Sequence, residues 1–243
     1  MAVKYIKNII LNDVTIPMEI HLERRNGVRV SIGKKNIFLR LPHYFTPDQN
    51  RHYVQWAEQW FIQRVNKKPH LLNRFTPNSY LSGDTVRTQR KTYTLQISHV
   101  NRKTASARLL APKHIVQFHL PYQSQGAEIP VLLSRVIAQD QFMEVFNRLN
   151  QLNDQFFKQP FGTLKLKYNT TNWGSCSHKR NINISTRLLF APIEVQDYVL
   201  VHELAHLIEP NHSQQFWNLV RKVMPDYKQK ERWLSENSHL CNF

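Results

Sequence analysis

Residues 202–212 read His-Glu-Leu-Ala-His-Leu-Ile-Glu-Pro-Asn-His, and no other stretch restricts the fold as tightly. On a helix His202 and His206 stand at i and i+4, on one face, where two imidazoles can meet one metal ion. Glu203 is next to His202 and can reach a water held by that ion. A catalytic zinc site takes about three protein ligands and keeps one position open. Pro210 stops the helix, so the chain can turn and bring His212 back to the first two histidines. Val199, Leu200, Val201, Leu204 and Leu207 surround the motif with apolar side chains, which places this helix against a core. Glu231, in KQKERW, is the competing third ligand, although that run reads more simply as a solvated face. Glu209 reads as a helix-end carboxylate. The ligand types point to one Zn2+ per chain, with Mn2+ or Co2+ able to replace it.

The rest of the pattern says what surrounds this helix. Glu19–Arg25 and Val28–Ile32 are β-rich and flank Asn26-Gly27, a hairpin signal. Ile37–Leu41 gives a further strand, closed by Pro42. Thr46-Pro47 opens a helix whose apolar face includes Trp56, Trp60, Phe61 and Val65. Residues 79–121 return to short strands around a turn at Ser82-Gly83-Asp84. Residues 128–157 have helical spacing, with Val131, Leu132, Val136, Phe142, Val145, Phe146 and Leu149 recurring. Short strands follow at Leu164–Tyr168 and Ile182–Ile184. Helices follow over Ile193–Ile208, then Gln214–Met224 capped by Ser213, and then from Asp226 to about Leu234. No repeat with a period of 20–50 residues is visible. The reading is α+β: an antiparallel β-rich N-terminal part, residues 1–125, and a helical metal-binding part, residues 126–243, with the option of one continuous domain.

Charge is unevenly spread. The 243 residues carry a net +16. Residues 1–110 hold 19 basic and 6 acidic side chains, and residues 111–243 hold 14 and 11. A basic first half suits an anionic partner such as nucleic acid or nucleotide phosphates, or simply a solvated basic surface. Two cysteines, Cys176 and Cys241, make no disulfide framework. Mean hydropathy is −0.51. No apolar run reaches the ~18 residues a membrane span needs. The apolar run at Ile9–Leu11 is too short for a signal-peptide core, so the expected location is the cytoplasm, with no membrane partner.

Residues 172–234 hold WGSCS at 173–177, Asp197-Tyr198-Val199 before the HELAHL motif, Asn211-His212-Ser213, and then Phe216-Trp217. Together they resemble the YgjP-like family of zinc metallopeptidases, distant relatives of the SprT-like and WLM proteases. The resemblance implies a zincin-like C-terminal part, with the WGSCS segment lying against the metal-binding helix. Leu41-Pro42 fits the family outline more loosely. Two departures stand out. Asn172 occupies a position often held by Arg, and Lys179-Arg180 stands where a Gly is common. Trp173, Gly174, Ser175 and Cys176 become candidate substrate contacts. Ser175 or Cys176 could alternatively be a nucleophile, but a packing role suits Cys176 better beside a metal site. Phe216 and Trp217 pack behind the metal, with rimming the pocket as the alternative for Trp217, and Asp197 is a favourable charge near a helix N-terminus.

Three functions compete. The first is a metallopeptidase on peptides or proteins, with metal-activated water and Glu203 as general base. The second is a metal-dependent nucleoside-triphosphate pyrophosphohydrolase, a direction the family resemblance also allows. In that case Arg24, Arg25 and Arg29, with Lys34, Lys35 and Arg40, would contact phosphates. The third is a nucleic-acid-binding module, which would not need Glu203.

Overall fold

The computed structural model describes residues 3–33, 35–76 and 79–243. Asn12 and Asp13 take φ of +50° and +61°, as a two-residue type I′ hairpin turn requires. They join β1 (Val3–Leu11) to β2 (Val14–Glu23) in unbroken register from Val3↔Leu22 to Leu11↔Val14. The hairpin expected across Asn26-Gly27 does not form, and neither residue takes positive φ. Instead β3 (Arg29–Ile32) pairs with β4 (Ile37–Pro42), and β4 inserts parallel beside β2, giving the order β1-β2-β4-β3. The reason is burial. Ile37, Leu39 and Leu41 are all fully buried, so β4 takes the interior position that β3 cannot fill.

Helix α1 (Pro47–Lys67) opens with a reciprocal cap. Thr46 Oγ1 accepts from the Gln49 N–H at 3.2 Å, and Gln49 Oε1 accepts from the Thr46 N–H at 2.9 Å. Val54, Ala57, Phe61 and Val65 pack on Ile16, Met18 and Ile20 of the sheet. Trp56, expected on the apolar face, is 41 % exposed.

The chain divides into two compact units, Met1–Asn78 and Ser79–Phe243. The break expected near residue 125 does not match this division. Strands β5 (Thr85–Arg87), β6 (Thr92–Val100), β7 (Ser106–Leu110) and β8 (Ile115–Pro121) share a core with α2 (Ile129–Leu152) and the C-terminal helices. The order β5-β6-β8-β7 repeats the topology of the first sheet: outer antiparallel pairs around a parallel centre, followed by a helix. Even the closing residues correspond, Leu41-Pro42 and Leu120-Pro121. The β-rich part is therefore mixed rather than antiparallel, because each central parallel pair encloses a buried stripe: Leu95 and Phe118 here, Met18 and Leu39 in the first sheet.

A third sheet, order β10-β11-β9, comprises β9 (Leu164–Lys167), β10 (Gly174–Cys176) and β11 (Ile182–Ser185). Helices α3 (Ile193–Ala205), α4 (Gln214–Val223) and α5 (Tyr227–Asn237) complete the chain. Helix α3 is buried almost all round, from Val195 to Val201 and at Leu204 and Ala205, as a central core helix must be. It ends three residues earlier than the apolar pattern suggests. Among the described residues, no helix is long and apolar enough to cross a membrane.

Candidate metal centre

Helix α3 carries His202 and Glu203 in its last turn, and His206 sits at its C-cap. The chain then tightens, with the Glu209 N–H bonding the Ala205 carbonyl at 2.9 Å. The Glu209 carbonyl in turn accepts from His206 Nδ1 at 3.2 Å. That bond protonates Nδ1 and leaves Nε2 as a lone-pair donor. Past Pro210, Ser213 caps α4 by accepting from the Phe216 N–H at 3.3 Å. The cap fixes His212, the residue before it, at the mouth of the turn.

The result is a cluster of one donor atom each from His202, His206 and His212, all within 4.8 Å of one another. Nε2 of His202 and Nε2 of His212 are 3.0 Å apart. Two nitrogens held ~2.0–2.1 Å from a tetrahedral zinc would be about 3.3 Å apart. His212 is thus the third member, while Glu231 is exposed on α5 and outside the cluster. Phe216, fully buried, floors all three rings at centroid distances of 4.8, 4.5 and 4.8 Å. Trp217 packs 5.9 Å from His202 and 5.8 Å from His212, and stacks on Tyr227 at 5.2 Å. Burial, then the neighbouring histidines, push the His202 imidazole down to about 3. A neutral imidazole is the form a metal requires.

Glu203 is 4 % exposed, and its Oε2 has no hydrogen-bond partner. Burial pushes its carboxyl up to about 8. A cation in the histidine cluster would favour the carboxylate form. An orphaned buried oxygen on the residue that follows His202 fits a divalent ion held by the neighbouring histidines.

The WGSCS segment is an edge strand, a feature that its length and small residues hid. Gly174, Ser175 and Cys176 pair with Ile184, Asn183 and Ile182, and the strand lies against α3. A side chain at 174 would collide with Glu203. Ser175 Oγ accepts from Asn183 Nδ2 at 3.2 Å. Burial, then the charge of Glu203, raise the Cys176 thiol, opposite to what an activated nucleophile needs. Trp173 lies beneath the Arg187 guanidinium at 4.6 Å. Arg187 is 7 % exposed and donates to the carbonyls of Thr170 and Ser238. Sequence reasoning had no signal for this residue. Arg180 adopts φ of +60°, which accounts for a position where glycine is common. Its Nη2 donates to Gln159 Oε1 at 3.0 Å.

Asp197 is more than a helix-end charge. Arg148 of α2 grips it bidentately at 2.8 and 2.6 Å, fastening α3 to α2. The candidate phosphate-contact arginines of the first unit are exposed or turned to Glu23. Arg24 and Arg29 are exposed, while Arg25 lies 3.7 Å from Glu23 and donates to the Gly27 carbonyl. Arg40 also turns to Glu23, at 3.3 Å. Lys34 lies outside the described residues.

Three convergent histidines on a helix and its return loop, with a buried glutamate following the first of them in sequence, suit a metal-dependent hydrolase. The family match agrees. The YgjP-like metallopeptidase domain spans residues 26–237, and the chain belongs to that family. Among solved structures, the metallopeptidase zymogen of Pyrococcus abyssi abylysin matches at 27 % identity, over 39 % of this chain and 95 % of that chain, with a TM-score of 0.36. No curated protein matches.

Proposed function

We propose that this metallopeptidase uses zinc held by His202, His206 and His212, with Glu203 as the general base of peptide-bond hydrolysis. The observation that carries this reading is the convergence of three histidine donor atoms within 4.8 Å, with a buried, unpartnered oxygen on Glu203, the residue that follows His202. Zinc bound there would supply a Lewis acid and bring the pKa of a water ligand to about 7. Glu203 takes a proton from the attacking water as the C–O bond forms. It returns that proton to the amine as the C–N bond breaks. Strand β10 is an edge, so an extended peptide can add beside it by main-chain hydrogen bonds, with Trp173, Gly174, Ser175 and Cys176 along its path. The Ser175 hydroxyl accepts from Asn183 and keeps its own proton to donate to a developing oxyanion. Trp217 walls the histidines and limits access of bulk water. Free thiols at Cys176 and Cys241 fit a reducing compartment, and we place the protein in the cytoplasm.

The test is to offer the zinc-loaded protein a mixture of unfolded proteins and, separately, nucleoside triphosphates, and to identify products by mass spectrometry. Peptides that disappear with a chelator and return with zinc support the reading. Nucleoside monophosphate and pyrophosphate without peptide products would replace it with a nucleotide hydrolase.

A further inference from the structure

Strand β1 is the longest exposed edge in the molecule's two four-stranded sheets. It runs nine residues, Val3–Leu11, at the end of the order β1-β2-β4-β3. Edge strands expose unpaired N–H and C=O groups, and proteins usually blunt them with bulges, proline, free lysines or shortness. Here each device is missing. The register with β2 is continuous over all nine residues, so no bulge bends the strand. The strand contains no proline. Its two lysines are drawn back onto the same unit, Lys4 to Glu19 at 2.6 Å and Lys7 to Glu58 at 2.7 Å. Shortness is missing too, and the second sheet supplies the contrast. Strand β5 holds the same place in the repeated topology and is three residues long.

The exposed side chains of β1 are apolar. Ile6 is 59 % exposed, Ile10 75 % and Tyr5 41 %. Ile6 and Ile10 lie four residues apart and so on one face. An antiparallel pairing of the strand with itself, with Asn8 opposite Asn8, sets Ile6 against Ile10 twice, once on each side of the axis. Tyr5 then faces Leu11, and Lys7 faces Ile9 rather than another Lys7. Moving the axis to Lys7 would oppose two lysines and break both isoleucine pairs. A strand that is self-complementary in one register fits a two-fold partner, since such an interface joins the same patch to itself.

We infer that β1 pairs with β1 of a second copy of this chain across a two-fold axis at Asn8, joining two four-stranded sheets into one of eight strands. The net charge of +16 on each copy opposes association, so the dimer strengthens as salt is raised from low ionic strength to about 0.15 M, where charges are screened beyond about 8 Å.

Sedimentation velocity over a concentration series tests this with the full chain. The wild type is expected to reach the dimer mass. Ile10→Lys is expected to weaken the dimer at least about tenfold, with melting temperature unchanged at concentrations where both proteins are monomeric, because the side chain is exposed in the monomer. Met143→Lys, on an exposed position of α2, should leave the dimer intact. Asn8→Cys with a short bis-maleimide should give a cross-linked dimer that the wild type, with Cys176 and Cys241 alone, does not give. A wild type that stays monomeric at every concentration overturns the inference, as does a dimer indifferent to Ile10→Lys. A dimer that Asn8→Cys fails to cross-link has a different register and overturns the pairing at Asn8.

Discussion

A side chain at position 174 would occupy the space of the Glu203 carboxylate: a Cβ on Gly174 would lie 2.7 Å from Glu203 Cδ and 2.8 Å from Cγ, and closer still to Oε1. The edge strand and the helix carboxylate are thus fitted to each other. Gly174→Ala should displace the Glu203 carboxylate without touching a histidine. The expected outcome is a fall in kcat/KM of at least about tenfold, with metal content retained and ~1–3 kcal/mol lost from overpacking. Parallel assays of peptide cleavage and bound metal check this; unchanged activity would contradict the close approach.

His212 joins the cluster from outside the helix, through the cap at Ser213. His212→Ala should lower zinc affinity at least about 10²-fold, and Glu231→Gln should leave it unchanged. Competition with a zinc-binding dye measures both. The opposite pattern would return Glu231 as third ligand. Stripping metal from the wild type should also lower thermal stability, since an ion at 100 times its Kd contributes about 2.7 kcal/mol.

Phe216 is fully buried beneath all three imidazoles. Phe216→Ala should cost ~3–5 kcal/mol of stability and weaken metal binding, because rings without a floor lose their orientation. Phe216→Leu should keep most of both. Urea unfolding and metal titration of the two variants separate packing from aromatic character.

The Arg148–Asp197 pair fastens the metal-bearing helix to α2 at 2.6–2.8 Å. Arg148 is about one-third exposed, so the cost of breaking the pair lies below that of a fully buried one. Asp197→Ala should destabilise by about 2 kcal/mol, visible as a lower urea midpoint at constant m-value. A variant as stable as wild type would show that the pair is only positional.

Lys91, immediately before β6, links the chain to α2 through Asp140 at 3.1 Å and Glu144 at 3.0 Å. Burial alone would lower its pKa, but the two carboxylates outweigh burial and hold it above the ordinary value of 10.5. The stabilisation is therefore complete at neutral pH and is lost as pH rises through the raised value. Burial, with the bond to Asp140, also raises the nearby Tyr93 phenol, which acts in the same direction. Urea midpoints should fall between neutral pH and about pH 11, and fall less in Lys91→Met. Equal falls in both proteins would contradict the role of Lys91.

The histidine triad was legible because its spacing is local. Residues 202 and 206 meet by helix periodicity, and Pro210 and Ser213 punctuate the return of His212. The capped start of α1 at Thr46 was legible for the same reason. What depended on distant partners was not. Asn26-Gly27 carries a strong local hairpin signal, yet the apolar stripe of β4 wins the place beside β2. Asn12-Asp13 makes the true turn with a less familiar pair of residues. The Arg148–Asp197 contact spans two helices 49 residues apart in sequence, beyond any local pattern. The repeated sheet topology also escaped, because its strands differ in length and its buried positions keep apolar character rather than identity. Arg24, Arg25 and Arg29 gave a charge signal without a geometry to match it.

The most direct test of the central claim is peptide cleavage by Glu203→Gln beside wild type, with metal content measured on the same samples. The account predicts equal zinc in both proteins, about one ion per chain, and turnover in the wild type reduced by at least about 10²-fold in the variant. A variant that keeps its zinc and still cleaves at the wild-type rate would contradict the assignment of Glu203 as the base.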